Sequence, residues 1–282
     1  MMKMLKLRDL VAQGQELAPA AKAADIEYVL GERLGLTPSE FAMKQDLELT
    51  PDQEKQAKKD LKKLARGVSP QYILGFAWFY GYKIRVQRGV LIPRYDTEGL
   101  VKLALDHLES GQKVLDMGTG SGCLTVALAK EAAKQGKQNL TWYASDITDQ
   151  ALRASEENFL DYDLDVYVRK ANVLIGLEKF DLIVSNPPYI KYSEKKYMDD
   201  NVLKNEPEEA LFGGEDGLDF YRTFVKQVRE HLTSHGQFCL EFGFQQRSAL
   251  AELLQTALPD FELEFVKDLS GKDRFVYGRW QK

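Results

Sequence analysis

The sequence of 282 residues holds only two cysteines, Cys123 and Cys239, 116 residues apart and in no CxxC pair. That spacing excludes a disulfide framework and argues against a structural zinc site. No apolar run approaches the ~18 residues that read as a membrane span. The opening stretch, residues 1–9, has no uninterrupted apolar core, so no signal peptide is expected. Basic charge is not in excess either. The formal net charge of −5 argues against a protein that coats nucleic acid by bulk charge. Internal repeats and low-complexity tracts are missing. With 44% hydrophobic and 29% charged residues, the composition is that of an ordinary globular chain, expected to be soluble and cytoplasmic with no membrane partner. Its length suits two domains of about 100–200 residues each.

Residues 1–75 read as a helical domain. Leu10, Ala18, Ala21, Ala24, Ile26, Val29, Leu30 and Leu34 recur at helical spacing, interrupted by Gly14, Pro19, Gly31 and Gly35. Two helix starts are written in the same way: Thr37-Pro38-Ser39-Glu40 and Thr50-Pro51-Asp52-Gln53 each place an N-cap hydroxyl, a first-turn proline and a capping-box acceptor in order. The second opens a helix to Arg66 that sets Lys55, Lys58, Lys59, Lys62, Lys63 and Arg66 against Leu61 and Leu64. A solvated charged face is the plain reading of that stripe, and a partner-docking face is the other. Through residue 78 there are 12 basic and 11 acidic side chains, so the negative balance belongs to the rest of the chain, with 26 and 32.

From residue 76 the period changes. The aromatic and β-branched stretch Phe76–Val86, with Gly81 at its middle, reads as a hairpin linker over 76–92. Residues 93–282 then alternate strand and helix. Strands are expected at 113–117, 140–146, 166–169, 180–185, 237–242, 262–267 and 274–280, and helices at 123–134, 150–159, 218–232 and 245–258. Strands separated by helices imply an α/β domain with a largely parallel sheet covered on both faces.

Two stretches carry chemistry. The first is Gly118-Thr119-Gly120-Ser121-Gly122, which follows the apolar strand Val114–Met117 and opens a helix. Alternating glycines let the backbone turn sharply and bring its N–H groups against a ligand. The spacing is GxGxG, not the GxGxxG of dinucleotide sites, and no phosphate-loop lysine follows. Asp146, 26 residues after Gly120, ends the next strand, where an acidic side chain can accept both hydroxyls of a ribose. The pair points to an adenosine-containing ligand. Asn172, after the third strand, is placed either to meet the adenine or to serve a turn.

The second is Ser185-Asn186-Pro187-Pro188-Tyr189-Ile190, closing the fourth strand. Two prolines fix φ and withdraw two donors, so the turn is stiff and its carbonyls are free to accept. The Asn186 carboxamide offers an acceptor and donors. These groups suit a planar substrate bearing an NH2, either a carboxamide or the exocyclic amine of a base. Its hydrogens would go to the Asn186 oxygen and the Pro187 carbonyl, with the Tyr189 ring over the plane.

The arrangement resembles the class I S-adenosylmethionine-dependent methyltransferases that modify planar nitrogens, and within them the protein-(glutamine) methyltransferases acting on peptide chain release factors. The likeness covers nearly the whole chain: Gly67–Gly75, the Ile-Pro-Arg element within Val90–Glu98, the Gly118–Cys123 loop, Ser185–Ile190, Glu206–Leu211 with Gly213–Leu218, and Glu241-Phe242-Gly243 with Gln246. It implies a seven-stranded Rossmann-like methyltransferase domain and a small helical domain for substrate recognition. It also implies S-adenosyl-L-methionine as cofactor and, as substrate, the glutamine of the release-factor Gly-Gly-Gln loop. By the resemblance, Gly118, Thr119, Gly120, Ser121 and Gly122 meet the methionine part, Asp146 the ribose, and Asn172 with Val173 the adenine. Asn186, Pro187, Pro188 and Tyr189 form the glutamine site, with Asn186 also near the cofactor. The chain departs from the family at Asp96, more often Glu, at Asn172, often Asp, and at Ser234-His235-Gly236, usually Pro-Gly-Gly.

The Asn-Pro-Pro-Tyr turn is shared with adenine and guanine amino-methyltransferases, which should add a basic groove or a target-recognition domain; neither is evident. A binding scaffold without activity is the other rival, and an intact glycine loop and catalytic turn speak against it. No metal, no direct nucleic-acid substrate and a monomer are expected. His231 and His235 have i, i+4 spacing without the glutamate of a zinc helix. His107 reads as a helix-end residue. Glu241 reads as a residue behind the cofactor side or a structural one, and Arg94 as an anchor for an acidic group or a local ion pair.

Overall fold

The structure, a computed structural model, describes residues 5–281. Part of the stretch on which the sequence speaks against a signal peptide, residues 1–4, lies outside the described residues. No helix among the described residues is long and apolar enough to cross a membrane.

The chain divides into two compact units. The first holds helices α1 (Leu7–Leu17), α2 (Ala23–Leu34), α3 (Pro38–Met43), α4 (Pro51–Leu64) and α5 (Pro70–Leu74). Both capping boxes close: Glu40 N donates to Thr37 Oγ1 and Thr37 N to Glu40 Oε2, and Thr50 and Gln53 repeat the exchange. Leu10, Ile26, Leu30, Phe41, Leu61 and Ile73 form a core from which water is excluded. Gly14 on α1 lets the helices approach, since a Cβ there would lie 3.0 Å from both Ile26 and Leu61 methyl groups. Lys55, Lys59, Lys62 and Arg66 are exposed. Asp60 of α4 is buried: 0% exposed, it accepts from Arg33 Nε at 2.8 Å and from Gln56, while Arg33 Nη2 donates to the Ile73 carbonyl at 2.9 Å.

The second unit begins at Ala77 within the hairpin of β1 (Phe76–Phe79) and β2 (Tyr82–Arg85), continues through α6 (Glu98–His107), and then alternates β3 (Lys113–Met117), α7 (Cys123–Lys134), β4 (Thr141–Asp146), α8 (Asp149–Asp161), β5 (Val166–Lys170) and β6 (Phe180–Ser185). A short helix, α9 (Asp200–Asn205), leaves this unit: residues 199–205 belong to the helical one, where Asn205 Nδ2 donates to the Gly67 carbonyl at 2.8 Å. The sequence carries no sign of that return, nor does the reading from sequence include α6. The chain closes with α10 (Asp219–His231), β7 (Leu232–Glu241), α11 (Arg247–Ala257), β8 (Phe261–Lys267) and β9 (Asp273–Trp280).

The seven strands make one sheet in the order β5-β4-β3-β6-β7-β9-β8, parallel from β5 to β7 and antiparallel at β9 and β8. Side chains alternate across it. Val114, Leu182, Val184 and Cys239 meet α6, α7 and α8 with the hairpin residues Phe79 and Ile84. Leu115, Met117, Ile183, Phe238 and Leu240 meet α10 and α11 through Tyr221, Phe224, Leu250 and Leu254. Burial of each large side chain contributes roughly 1.5–3 kcal/mol.

Strand β7 starts five residues before the expected 237. Leu232 pairs with Phe180, then the register shifts and Gln237 pairs with Leu182. His235 takes φ +60° in that irregularity, in the triplet where the family usually carries Pro-Gly-Gly. A left-handed residue without glycine hides the strand's early start from a pattern reading.

Asp60→Ala removes the buried acceptor of the part-exposed Arg33 and of Gln56 and leaves a hole in the helical core. It is expected to cost about 2–3 kcal/mol in urea denaturation, whereas Lys59→Ala on the exposed side of α4 should leave the midpoint within roughly 0.5 kcal/mol.

Candidate active site

Strand order sets the site. After β3 the chain builds β4 and β5 on one side and then crosses to β6 on the other, so the carboxyl ends of β3 and β6 part at a reversal point, where α/β sheets bind ligands. A cavity of about 400 Å³ lies there. It is lined by the glycine loop, by Asp146, Asn172 and Val173, by Asn186, Pro187 and Pro188, and by Thr97.

The loop between β3 and α7 places Gly118, Gly120 and Gly122 at φ +72°, +54° and +80°, a left-handed alternation that side chains resist. Gly118 N and Thr119 N donate to the Ser145 carbonyl at 2.8 and 2.9 Å, tying the loop to β4. At Gly122 a Cβ would meet the Phe159 ring at 2.7 Å, so helix α8 packs directly on the turn. Asn158 Nδ2 holds the Ser121 carbonyl at 2.8 Å.

Asp146 stands at the end of β4. Its Oδ2 accepts from Gly120 N at 3.1 Å and its Oδ1 from Thr148 N at 2.9 Å and Thr148 Oγ1 at 3.1 Å. An ionised carboxylate has about four acceptor positions, so capacity remains toward the cavity. Asn172 is exposed, and Val173 beside it is held at φ +58°. A β-branched residue in that region is strained by roughly 1–3 kcal/mol, and such strain gathers at ligand clamps.

The Asn186–Tyr189 turn is fixed from behind by backbone. Ile190 N donates to the Leu211 carbonyl and Gly213 N to the Ile190 carbonyl, each at 2.9 Å. A Cβ on Gly213 would come within 2.6 Å of the Pro188 carbonyl, and one on Gly217 within 2.2 Å of the Tyr189 carbonyl. Only glycine permits this approach. Gln246 Nε2 bridges the Tyr189 carbonyl at 2.8 Å and the Asp216 carbonyl at 3.2 Å. Asn186 Nδ2 donates to Thr97 Oγ1 at 2.8 Å.

Tyr189 itself is not on the cavity wall. Its ring packs into the core beneath β6 and β7, and its hydroxyl donates to Glu241 Oε1 at 2.9 Å. Burial and the nearby carboxylate push that hydroxyl up, so it stays protonated. The aromatic side chains that do line the cavity are Tyr192, Phe212 and Phe220. Arg94 is committed to a local ion pair: Nη2 meets both Glu206 oxygens at 2.7 and 2.8 Å, and Ile92 N points to the same carboxylate. The Ile-Pro-Arg element and the Glu206-Pro207 element thus form one clasp. His231 Nδ1 contacts the Gln227 carbonyl at 2.9 Å, and His107 stacks on Tyr277 at 3.7 Å. Among the described residues no group of three His, Cys, Asp or Glu side chains is placed to hold a metal ion.

Two residues at this site were passed over in the sequence reading. Asp116, 2% exposed inside β3, accepts from Thr119 Oγ1 and Thr125 Oγ1 at 2.8 Å through Oδ2, while its Oδ1 is buried without a partner. Burial pushes its carboxyl up to about 6, against the pull of the Thr119 and Thr125 hydrogen bonds. A charge in the middle of an apolar strand, two residues before Gly118, is the signal that marks it. Thr97 carries no such signal, because its role depends on a turn brought in from before α6.

The chain matches the family models "Methyltransferase small domain" over residues 97–215 and "PrmC N-terminal domain" over residues 9–75. It is 38% identical to the release factor glutamine methyltransferase of Streptococcus pneumoniae over 95% of this chain and 93% of that one. With the release factor glutamine methyltransferase of Enterococcus faecalis it shares 36% over 95% and 94%. Among solved structures, a methyltransferase from Pyrococcus furiosus superposes with a TM-score of 0.52 at 17% identity, covering 82% of this chain and 99% of that one.

The raised carboxyl of Asp116 has a readable cost. The folded state favours its protonated form, so this stabilisation is full below 3.8 and is lost as pH rises through about 6. Asp116→Asn is expected to flatten the pH dependence of urea denaturation across that window and to raise the midpoint at neutral pH; an unchanged pH profile contradicts the assignment.

Proposed function

Since the chain belongs to the release factor glutamine methyltransferase family, we propose that it transfers a methyl group from S-adenosyl-L-methionine to the side-chain amide nitrogen of the glutamine in the release-factor Gly-Gly-Gln loop. One observation carries this reading: the glycine loop with Asp146 and the Asn186-Pro187 turn line the same cavity. In this reading the cofactor and the substrate amide share one cavity of a single polypeptide.

The residues present fit the cofactor. Three left-handed glycines put no side chain between the loop backbone and the cavity, and the start of α7 follows directly on the loop. The unpartnered Oδ1 of Asp116 is a buried acceptor just behind that loop. Spare acceptor capacity on Asp146 suits the ribose hydroxyls, and Asn172 with Val173 the adenine edge. When bound, the sulfonium supplies a methyl group already activated for transfer, so no metal or strong base is required.

What remains for the protein is alignment. An amide nitrogen is a poor nucleophile because its lone pair is delocalised into the carbonyl. Asn186 Oδ1 and the Pro187 carbonyl accept the two N–H hydrogens and turn the lone pair toward the methyl group. The same two acceptors stabilise the positive charge that grows on nitrogen as a C–N bond would form and the S–CH3 bond break, and one of the two hydrogens would then leave to solvent as a proton, giving the neutral methylamide and the thioether. Pro188 and Tyr189 keep the turn rigid, the tyrosine from beneath.

The deciding assay offers labelled methyl donor with release factor, DNA or RNA; label in nucleic acid and none in release factor would overturn the proposal. Asn186→Ala should lower turnover on release factor by roughly 100-fold or more while cofactor affinity measured by calorimetry survives. Asp146→Ala should show the opposite pattern, weakening cofactor binding by about tenfold, the equivalent of one charge-assisted hydrogen bond.

A further inference from the structure

Two in-plane acceptors leave one direction open at the substrate amide. The nitrogen lone pair is delocalised into the carbonyl, so it stands perpendicular to the amide plane, and the methyl group can approach only along that perpendicular. Asn186 Oδ1 and the Pro187 carbonyl fix the N–H bonds within the plane. They do not stop the amide from sliding away through the face that the methyl group does not approach. Something flat must back that face. The reading from sequence gives the task to Tyr189, whose ring the structure places in the core beneath.

Of the three aromatic side chains on the cavity wall, two are packed against neighbours. Phe212 is 8% exposed, with the Lys195 ammonium 5.5 Å from its ring centre. Phe220 is half-buried and stacks on Phe224 at 6.2 Å, edge-on to Tyr221 at 5.5 Å. Tyr192 is the exposed one, at 52%. Its ring centre lies 5.6 Å from that of Phe212, and its hydroxyl has no partner among the described residues. It has ring surface to offer a ligand.

The position of that ring is also fixed. Tyr192 N donates to the Gly214 carbonyl at 3.1 Å, continuing the backbone ladder that ties Ile190 to Leu211 and Gly213. A Cβ on Gly214 would lie 2.0 Å from Asp219 Oδ2, so this rung is pressed against the start of α10. The ladder that stiffens the Asn186 turn therefore carries Tyr192 with it. Strand order separates the two sides of the turn. The glycine loop leaves β3 and Asp146 ends β4, whereas residue 214 leads to α10 and to β7, on the opposite flank of β6. The Asn186 turn, at the end of β6, stands between them.

Resting on the methyl-transfer reading above, we propose that Tyr192 is the ring that meets the substrate, lying flat on the face of the glutamine carboxamide turned away from the methyl donor. As the C–N bond forms on the open face and the S–CH3 bond breaks, positive charge grows on nitrogen, which then loses one hydrogen as a proton to solvent. The ring takes no proton. Its face carries the negative part of the ring quadrupole and attracts that charge as it grows, so the contact strengthens in the transition state. The ring also keeps water from the rear face of the amide. The phenol hydroxyl has no part in either task.

The test uses the full-length protein with release factor and labelled methyl donor. Tyr192→Ala and Tyr192→Leu are expected to lower kcat by about tenfold, with cofactor affinity by calorimetry and the urea midpoint unchanged, while Tyr192→Phe stays within about twofold of the parent. A second readout needs no turnover. The tryptophan emission of Tyr192→Trp, taken against the parent with S-adenosylhomocysteine bound, is expected to move to shorter wavelength when release factor is added. It should stay unmoved by a release factor whose loop glutamine is exchanged for glycine. Tyr192→Ala or Tyr192→Leu within about twofold of the parent, or Tyr192→Phe as slow as Tyr192→Ala, overturns the proposal and leaves the substrate reading in place. So does an emission that does not shift, or shifts without regard to the glutamine. If the parent itself leaves release factor unlabelled, the reading of the substrate fails instead, and this inference with it.

Discussion

The reversal of strand order between β3 and β6 is the constraint on which the rest of the second unit depends. A sheet that grew in one direction would bury the ends of its strands under successive helices. Because β6 is laid against the opposite edge of β3, the loops leaving β3, β4 and β6 open around one crevice. The glycine loop, Asp146 and the Asn186 turn come from residues dozens of positions apart, and only this order makes them neighbours. Everything else at the site secures those loops: Ser145 holds the first, Thr148 the second, and the Gly213–Gly217 backbone the third.

Placing carboxylates in such a crevice has opposing consequences. Asp116 and Glu241 are almost wholly withdrawn from water, and the ordinary result of desolvation is a carboxyl that resists ionisation. Asp146 is less buried and is met by three donors. The site therefore contains carboxylates with distinct duties, separated by their surroundings and not by their chemistry. A carboxylate at the edge can bind; one sealed inside can only organise the groups around it. Tyr189 follows the same logic, since a ring sunk into the core does more for the stiffness of the turn than for its surface.

Much of this was legible in residues alone. Two Thr-Pro capping boxes, the strand before Gly118, the glycine alternation and the Asn-Pro-Pro-Tyr turn are local patterns, and local patterns survive in sequence. What escaped was relational. Helix α9 leaves its own unit and joins the other, which no pattern within residues 199–205 records. The inward course of the Tyr189 ring depends on Glu241, 52 positions away, and the contact of Thr97 with Asn186 spans 89. Strand β7 was shortened in the reading because His235 occupies a backbone conformation that normally announces itself with glycine.

The placement of β9 carries a consequence for how the molecule is made. It follows both β7 and β8 in sequence, yet it lies between them and not at an edge. Until it is synthesised, β7 has an open flank and β8 has no partner among the described strands. β7 is also the strand that ends in Glu241, so β9 must have left the ribosome before the floor of the crevice can close. Long-range strand insertion of this kind is slow relative to helix formation. During synthesis the helical unit can assemble early while an unpaired strand waits, which makes the interval before the final strand docks the period of greatest exposure to misassociation.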